Sequence, residues 1–421
     1  MDIINDQLEA QQFIKNLSGK SKFSISKNSR MIGLSRQTYQ NKLNRLRDQK
    51  IITNFTININ PDIRPNNLKY VMIEIKTNPK EPELVKELLE IPQLRLLDGI
   101  IGEFSLFALL IFKSPEEYYQ ILNTIDNIMA KSYFKKYQII DTIKIFKTNG
   151  ISLRKLKMTL KEELIEKLNN FESERIELEF QEKIDLNLIA KKYADIEYDP
   201  KKFPSLIIRI EDFNVIILIF SNGKIVITGL TNKTNNEQLI NKVIERLMKI
   251  GIKLDKKKSD QNYEIDYTDS LILNILQNLQ GFKPISTYDI SKIFKKQMKM
   301  DISQSTIHNR IKNLEQKGII LNYTVNFNPK KVGFEGKYLL RIKPKDPSKY
   351  DHLALNLEQN KHITDLFRIG EQYGLFAIIR VNNVEDYANF IREMYETEEI
   401  EDTFTNFVLD ELITYTNFML Y

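Results

Sequence analysis

The chain has 421 residues, enough for two to four domains, and a formal net charge of +6. It has no Cys and only three scattered His residues (His308, His352 and His362), which excludes disulfides, thiol catalysis and Cys-based zinc sites and leaves no expected metal ligand set. No apolar run approaches the length of a membrane span, and the first residues carry no signal-peptide pattern, so the expectation is a soluble cytoplasmic protein without membrane partners. The charge is unevenly placed: residues 13–50 sum to +9 and residues 282–318 to +5, so the remainder is net acidic. Positive charge gathered into two segments is the form a nucleic-acid footprint takes.

The first basic segment predicts a helix opening at Ser35, whose hydroxyl suits an N-cap. Tyr39, Leu43 and Leu46 recur three or four apart and predict its buried stripe. The opposite face is Arg36, Gln37, Gln40, Asn41 and Asn44, joined by Arg45. Asn, Gln and Arg read base edges in a major groove, while Ser and Lys suit phosphates. Strands then read at roughly 69–76, 95–103, 106–113 and 137–146, with helices near 82–91 and 115–129. That order, βαββαβ, is a ferredoxin-like sandwich.

A polar connection from Lys147 to Lys155 leads to a helix at 158–170 and then to two apolar runs around Ser221-Asn222-Gly223. The Gly permits the positive φ of a tight hairpin loop. In that register Phe220 faces Lys224, Leu218 faces Val226 and Ile216 faces Thr228. One face (Val215, Ile217, Ile219, Ile225, Ile227) predicts burial under helices; the other is too polar for a core and too apolar for ordinary surface, and reads as a binding face. Gly223-Lys224 lacks the frame of a phosphate loop. A charged hinge, Asp255 to Asn262, ends this module.

The rest of the chain repeats the beginning. Residues 33–61 align with 301–329 without gaps at eleven identities in twenty-nine positions, among them Asn41/Asn309 and Thr56/Thr324. The match runs on through Gly102-Glu103 and Gly370-Glu371, then, shifted by one residue, through Leu106-Phe107-Ala108 and Leu375-Phe376-Ala377. Ser303 is the second cap, Ile307, Ile311 and Leu314 the second stripe, and Gln304, Ser305, His308, Asn309 and Lys312 the second outward face. Strands read at 337–343, 363–371, 375–382 and 402–413, with helices near 349–359 and 384–396.

Each arm resembles the Lrp/AsnC regulators, a basic helix-turn-helix followed by a ferredoxin-like domain; Leu314 with Gly318-Ile319-Ile320 matches a family step, where the first arm has Lys50 in place of the Gly. The resemblance covers about 5–147 and 264–421. It implies double-stranded DNA as partner, pairing through the ferredoxin-like domains within the chain or between chains, and an effector loop at Gly102, Glu103, Gly370 and Glu371. Residues 173–253, with Ile184-Asp185-Leu186, Glu197-Tyr198-Asp199-Pro200 and Ile219 to Lys224, resemble one lobe of the TATA-binding protein. By that resemblance, the lobe's DNA contacts fall on Phe203, Arg209, Leu218, Phe220, Lys224, Val226 and Thr228, with the two Phe as minor-groove wedges; that family is the standard example of the mechanism. The lobe's first strand carries Ser173, Arg175, Glu177 and Glu179 at alternating positions, and carboxylates repel phosphates. The open face is thus left between minor-groove insertion and the docking of basal transcription factors.

The expected fold is α+β and multidomain: winged helix-turn-helix units at 5–61 and 264–329, ferredoxin-like domains at 66–147 and 335–421, and between them, at 156–253, a linker helix and one antiparallel lobe with helices on its convex face. The expected function is a non-enzymatic, archaeal-type DNA-binding transcription regulator without cofactor or catalytic residues. A protein-docking factor and a small-molecule-sensing regulator are the alternatives.

Overall fold

The computed structural model describes residues 2–18, 22, 25–62, 68–78, 80–154, 158–169, 174–179, 184–193, 195–231, 237–255 and 264–420. Lys20, Ser173 and most of the Asp255–Asn262 hinge fall outside them. The chain forms two compact units, one from residues 1–153 with nearly all of 261–421, the other from residues 154–260.

The first arm opens with helices Asp2–Leu17, Ile25–Met31 and Arg36–Asp48 and the strand β1 (Ile52–Ile59). It continues as β2 (Lys69–Lys76), helix Pro82–Leu89, β3 (Leu94–Ile100), β4 (Leu106–Phe112), helix Pro115–Ala130, β5 (Lys136–Thr148) and the short β6 (Ile151–Ser152). Both βα helices begin at a Pro, which needs no backbone donor there, and Ser114 caps the second by accepting from Glu117 N at 3.2 Å.

The central unit pairs helix Leu160–Asn169 with β7 (Arg175–Glu179), helix Leu186–Lys192, β8 (Ser205–Ile210), β9 (Val215–Phe220), β10 (Lys224–Thr228) and helix Glu237–Lys249. Its sheet order is β7-β10-β9-β8, all antiparallel. The hairpin has the expected register, Val226 opposite Leu218 and Thr228 opposite Ile216, with Gly223 at φ 91°. Val215, Ile217, Ile219, Ile225 and Ile227 are buried with Leu164, Leu168, Val243 and Leu247 of the helices.

The second arm repeats the first: helices Tyr267–Asn278, Thr287–Gln297 and Gln304–Gln316, then β11 (Ile320–Phe327), β12 (Gly336–Pro344), helix Tyr350–Leu357, β13 (Ile363–Ile369), β14 (Leu375–Val381), helix Val384–Glu396 and β15 (Ile400–Glu411). Every strand and helix expected from the pattern of the two ferredoxin-like halves is present, with ends shifted by no more than about three residues.

The two halves close on each other. Strands run in the order β13-β14-β12-β15-β3-β4-β2-β5, and β5 pairs again with β13, so eight strands make a barrel without free edges. Closure uses two seams between arms, Val408 opposite Ile100 and Phe367 opposite Ile145. Met72, Phe107, Leu109, Ile140, Leu339, Phe367, Phe376 and Ile378 fill the interior. The repeat-related Phe107 and Phe376 stack 5.2 Å apart at 7°, so equivalent residues of the two halves touch.

A second cross-arm element is the ribbon β1–β11, in which Thr56 lies opposite Thr324, its own repeat equivalent. The ribbon serves both cores: Ile52 and Phe55 of β1 stay with the helices of the first arm while Ile57 packs among those of the second, and Ile320 of β11 stays with the second while Val325 and Phe327 pack among those of the first. The arms are therefore a pseudo-dimer within one chain.

Candidate nucleic-acid interface

Two helices, Arg36–Asp48 and Gln304–Gln316, carry the outward-facing residues singled out from the sequence. Both caps form: Ser35 Oγ accepts from Thr38 N at 3.0 Å and Ser303 Oγ from Thr306 N at 3.1 Å. The stripes Tyr39, Leu43, Leu46 and Ile307, Ile311, Leu314 are buried. Ser35, Arg36, Gln37, Asn41 and Arg45 are exposed, Gln40 and Asn44 half-buried; Ser303, Gln304, Ser305, His308, Asn309 and Lys312 are all exposed.

The two faces are arranged differently. On the first, Gln37 Nε2 donates to Asn41 Oδ1 at 3.0 Å and Gln40 Nε2 to Asn44 Oδ1 at 3.1 Å, the i,i+4 spacing that brings side chains together. This orients two amide pairs along one face. On the second, Ser305 shares a 2.8 Å hydrogen bond with the cap Ser303. Lys42 and Arg45 both meet Glu9, and Arg310 binds Asp266 at 2.6 Å and the buried Asp269 at 2.9 Å, so these cations also brace their helix clusters. Lys50 sits at φ 55° where Gly318 sits at φ 67° in the other arm. Both follow a helix closed by a backbone bond from the next residue, Ile51 N to Leu46 O and Ile319 N to Leu314 O.

On the lobe, register places three rows on the face away from its helices: Ser205 beside Phe220, continued by Lys224 beside Glu179; Ile207 beside Leu218 beside Val226 beside Glu177; and Arg209 beside Ile216 beside Thr228 beside Arg175. Phe203 and Phe220 meet edge-to-face at 6.1 Å, Phe203 being 42% exposed. The expected cations are engaged. Lys224 Nζ lies 2.7 Å from Glu177, which also binds Arg175, and Arg209 Nε lies 3.0 Å from Glu197. Lys224 holds the Glu177 carboxyl below the usual range, and Arg209 does the same for Glu197. Leu218 and Thr228 are half-buried. Val226 departs from expectation: it is only 2% exposed, because it occupies the middle of a row between Leu218 and Glu177, whose side chain is held there by Lys224 and Arg175.

The expected effector loops are also committed. Gly102 has φ 153° with Glu103 bound to Lys136 at 2.5 Å, and Gly370 N donates to Asp141 O while Glu371 reaches Arg341 at 2.5 Å. Arg341 is the centre of a network that sequence reasoning missed. Its guanidinium also binds Glu74 at 2.6 Å and Asn406 at 2.9 Å, with Arg341 and Glu74 both buried. Nearby strands bury a second set: Lys337 lies 2.6 Å from Asp98 and Arg380 binds Glu411 at 2.5 and 2.7 Å. Burial alone raises the Glu411 carboxyl, but the pull of Arg380 and Lys337 outweighs it and brings it to about 2; for Asp98 burial prevails and the carboxyl is raised. The signal was in Lys337 and Arg341, set at alternate positions with the apolar Leu339 between them on β12.

These ion pairs are not symmetric. Glu74 lies opposite Phe107 in its sheet and Arg341 opposite Phe376, so Glu74 and Arg341 hold equivalent places in the two arms. By the same reasoning Asp98 and Phe367 are equivalent, as are Tyr70, opposite Ile111, and Lys337, opposite Arg380. The Lys337–Asp98 ion pair on one side of the axis is answered by the Tyr70–Phe367 ring contact, 5.8 Å, on the other.

Comparison with known proteins agrees with this division. Residues 338–418 match the Lrp/AsnC ligand binding domain, and residues 176–250 match transcription factor TFIID (or TATA-binding protein). The HTH-type transcriptional regulator FL11 of Pyrococcus furiosus is 32% identical over 145 residues, which are 34% of this chain and 89% of that protein. The chain belongs to the Lrp/AsnC family of transcription regulators. The regulator Ptr1 of Methanocaldococcus jannaschii is 30% identical over 125 residues, 30% of this chain and 80% of its own. The TATA-box-binding protein of Aeropyrum pernix is 36% identical over 81 residues, 19% of this chain and 40% of that protein, so the lobe spans less than half of such a relative. Among solved structures the siroheme decarboxylase NirDL overlaps 97% of this chain and 91% of its own at 8% identity and a TM-score of 0.47, too loosely to bear on chemistry. Among the described residues no helix is long and apolar enough to cross a membrane, and no group of three or more His, Asp or Glu is placed to hold a metal ion.

Proposed function

We propose that this protein is a non-enzymatic, DNA-binding transcription regulator of archaeal type in which two helix-turn-helix units, fused in one chain, read the major groove together. The observation that carries this reading is the pair of capped helices with exposed amide and basic faces, joined through the β1–β11 ribbon about one pseudo-two-fold axis. Two-fold arrangement of recognition helices is how paired units meet successive half-sites. Asn41, Asn309 and Lys312 read bases; Arg36 and Arg45, with the cap serines, serve phosphates and register.

For the lobe, the Phe203–Phe220 pair supports a minor-groove wedge. A second reading, a surface that docks protein, is favoured by the ion pairs, which leave the open face with matched charge. Footprinting and bending assays on the organism's own DNA separate them. Phe203→Ala with Phe220→Ala abolishes bending if the lobe is a wedge and changes nothing if it docks protein. Asn41→Ala and Asn309→Ala each weaken specific binding by about 1–3 kcal/mol. Affinity that is flat between low and moderate salt would sink the DNA reading.

A further inference from the structure

We propose that one copy of this chain binds a non-palindromic duplex, with two unlike half-sites in a fixed order. The inference rests on the DNA-binding reading above and specifies its target. A pseudo-dimer about a two-fold axis ordinarily meets two like half-sites, because symmetry in the protein is mirrored in the DNA. Here the backbone keeps the axis, as the Thr56–Thr324 pairing shows, while the outward faces have lost it.

Position by position along the two helices, Arg36 stands where the other arm has Gln304, Gln37 where it has Ser305, Gln40 where it has His308 and Asn44 where it has Lys312. Asn41 and Asn309 alone among these outward residues are the same. Asn pairs bidentately with the N6/N7 edge of adenine, so each half-site holds one adenine in an equivalent place. Around it the chemistry diverges. The first face is amide-rich and ordered by the Gln37–Asn41 and Gln40–Asn44 hydrogen bonds, which suits further A·T pairs, its exposed Arg36 at the helix start being the one that serves phosphate. The second sets Lys312 and His308 beside Asn309, with Ser305 turned to its own cap; a cationic donor suits the O6 and N7 acceptors of guanine.

The barrel keeps the two faces together. Glu74 meets Arg341 across the axis and Asp98 meets Lys337, each pair having one partner in each arm. A like-with-like pairing of arms from two copies would set Glu74 against Glu74 or Arg341 against Arg341, and would leave Asp98 facing Tyr70, buried charges without their counter-ions. The mixed pair is therefore the stable one, and every barrel presents one face of each kind.

The test is selection by the full-length protein from random duplexes short enough to hold a single copy. The expected product is a motif that is not an inverted repeat, with an adenine in each half and guanine enriched in one half only. Asn41→Ala relaxes the adenine preference of one half by roughly 5- to 150-fold and Asn309→Ala that of the other. Replacing the second face with the first (Gln304→Arg, Ser305→Gln, His308→Gln, Lys312→Asn), all at exposed positions, converts the selected motif to an inverted repeat. An inverted repeat selected by the unaltered protein overturns the inference while leaving DNA reading intact. If no motif is enriched at all, specific DNA reading fails and this inference falls with it.

Discussion

The barrel and the open face of the lobe both pair cations with carboxylates, but in opposite settings. Arg341, Lys337, Glu74 and Asp98 are buried between strands of different arms, whereas Lys224, Arg209 and Glu177 stand at a water-accessible face. In the first setting an ion pair acts as a key, because losing one partner strands a charge where water cannot reach it. In the second it acts as a plug, worth little in stability but occupying the cations that the TATA-binding-protein likeness assigns to DNA. The same chemistry sets assembly in one place and availability in the other.

The comparison breaks first at its strongest point. Arg341→Ala removes the counter-ion of buried Glu74 and should cost about 3–5 kcal/mol in urea unfolding, while Arg341→Met with Glu74→Met should cost clearly less. Equal losses for the single and double variants would show that the pair is not coupled. Acid is the next lever. With Glu411 near 2 in the folded protein against 4.5 when unfolded, its contribution is fully present above about pH 4.5 and is lost as pH falls toward 2, about 3 kcal/mol in all, and Glu411→Gln should flatten that part of the stability profile. Asp98 works in the other direction: its raised carboxyl is a neutral-pH cost that acid relieves.

On the lobe, Glu177→Gln should change stability by less than about 1 kcal/mol. If the lobe meets DNA, the variant frees Lys224, tightens binding and steepens the dependence of log affinity on log salt by about one unit. An unchanged salt slope argues for a protein partner. Smallest is the helix end at Lys50: a non-Gly residue at φ 55° carries strain that Gly318 avoids at φ 67°, so Lys50→Gly should raise stability by up to about 1 kcal/mol.

Local pattern made the arms and the hairpin legible. Ser35 and Ser303 before apolar residues spaced by three and four announced capped helices, and strict alternation around Ser221-Asn222-Gly223 fixed the register that puts Val226 opposite Leu218. Partnership across long separations was not legible. That Lys224 is held by Glu177 follows only once β10 is known to pair with β7, and that Arg341 meets Glu74 only once the barrel is closed. Val226 shows the cost: alternation placed it on the open face correctly but could not count the neighbours that bury it. The inward charges of β12 were visible as residues without being visible as a lock.

The shared ribbon bears on how the chain comes into being. The helices of the first arm share their core with Val325, Phe327 and Phe418, so the packing around Phe13 and Ile14 stays unfinished until those much later residues are made. Closing so long a loop is slow, and an exposed apolar surface that waits for its mate is open to the matching strand of a neighbouring nascent chain. The lobe, whose core among the described residues draws on 160–254 alone, carries no such delay. During synthesis the residues of the central unit's core are therefore all made before those that complete the core of the first arm.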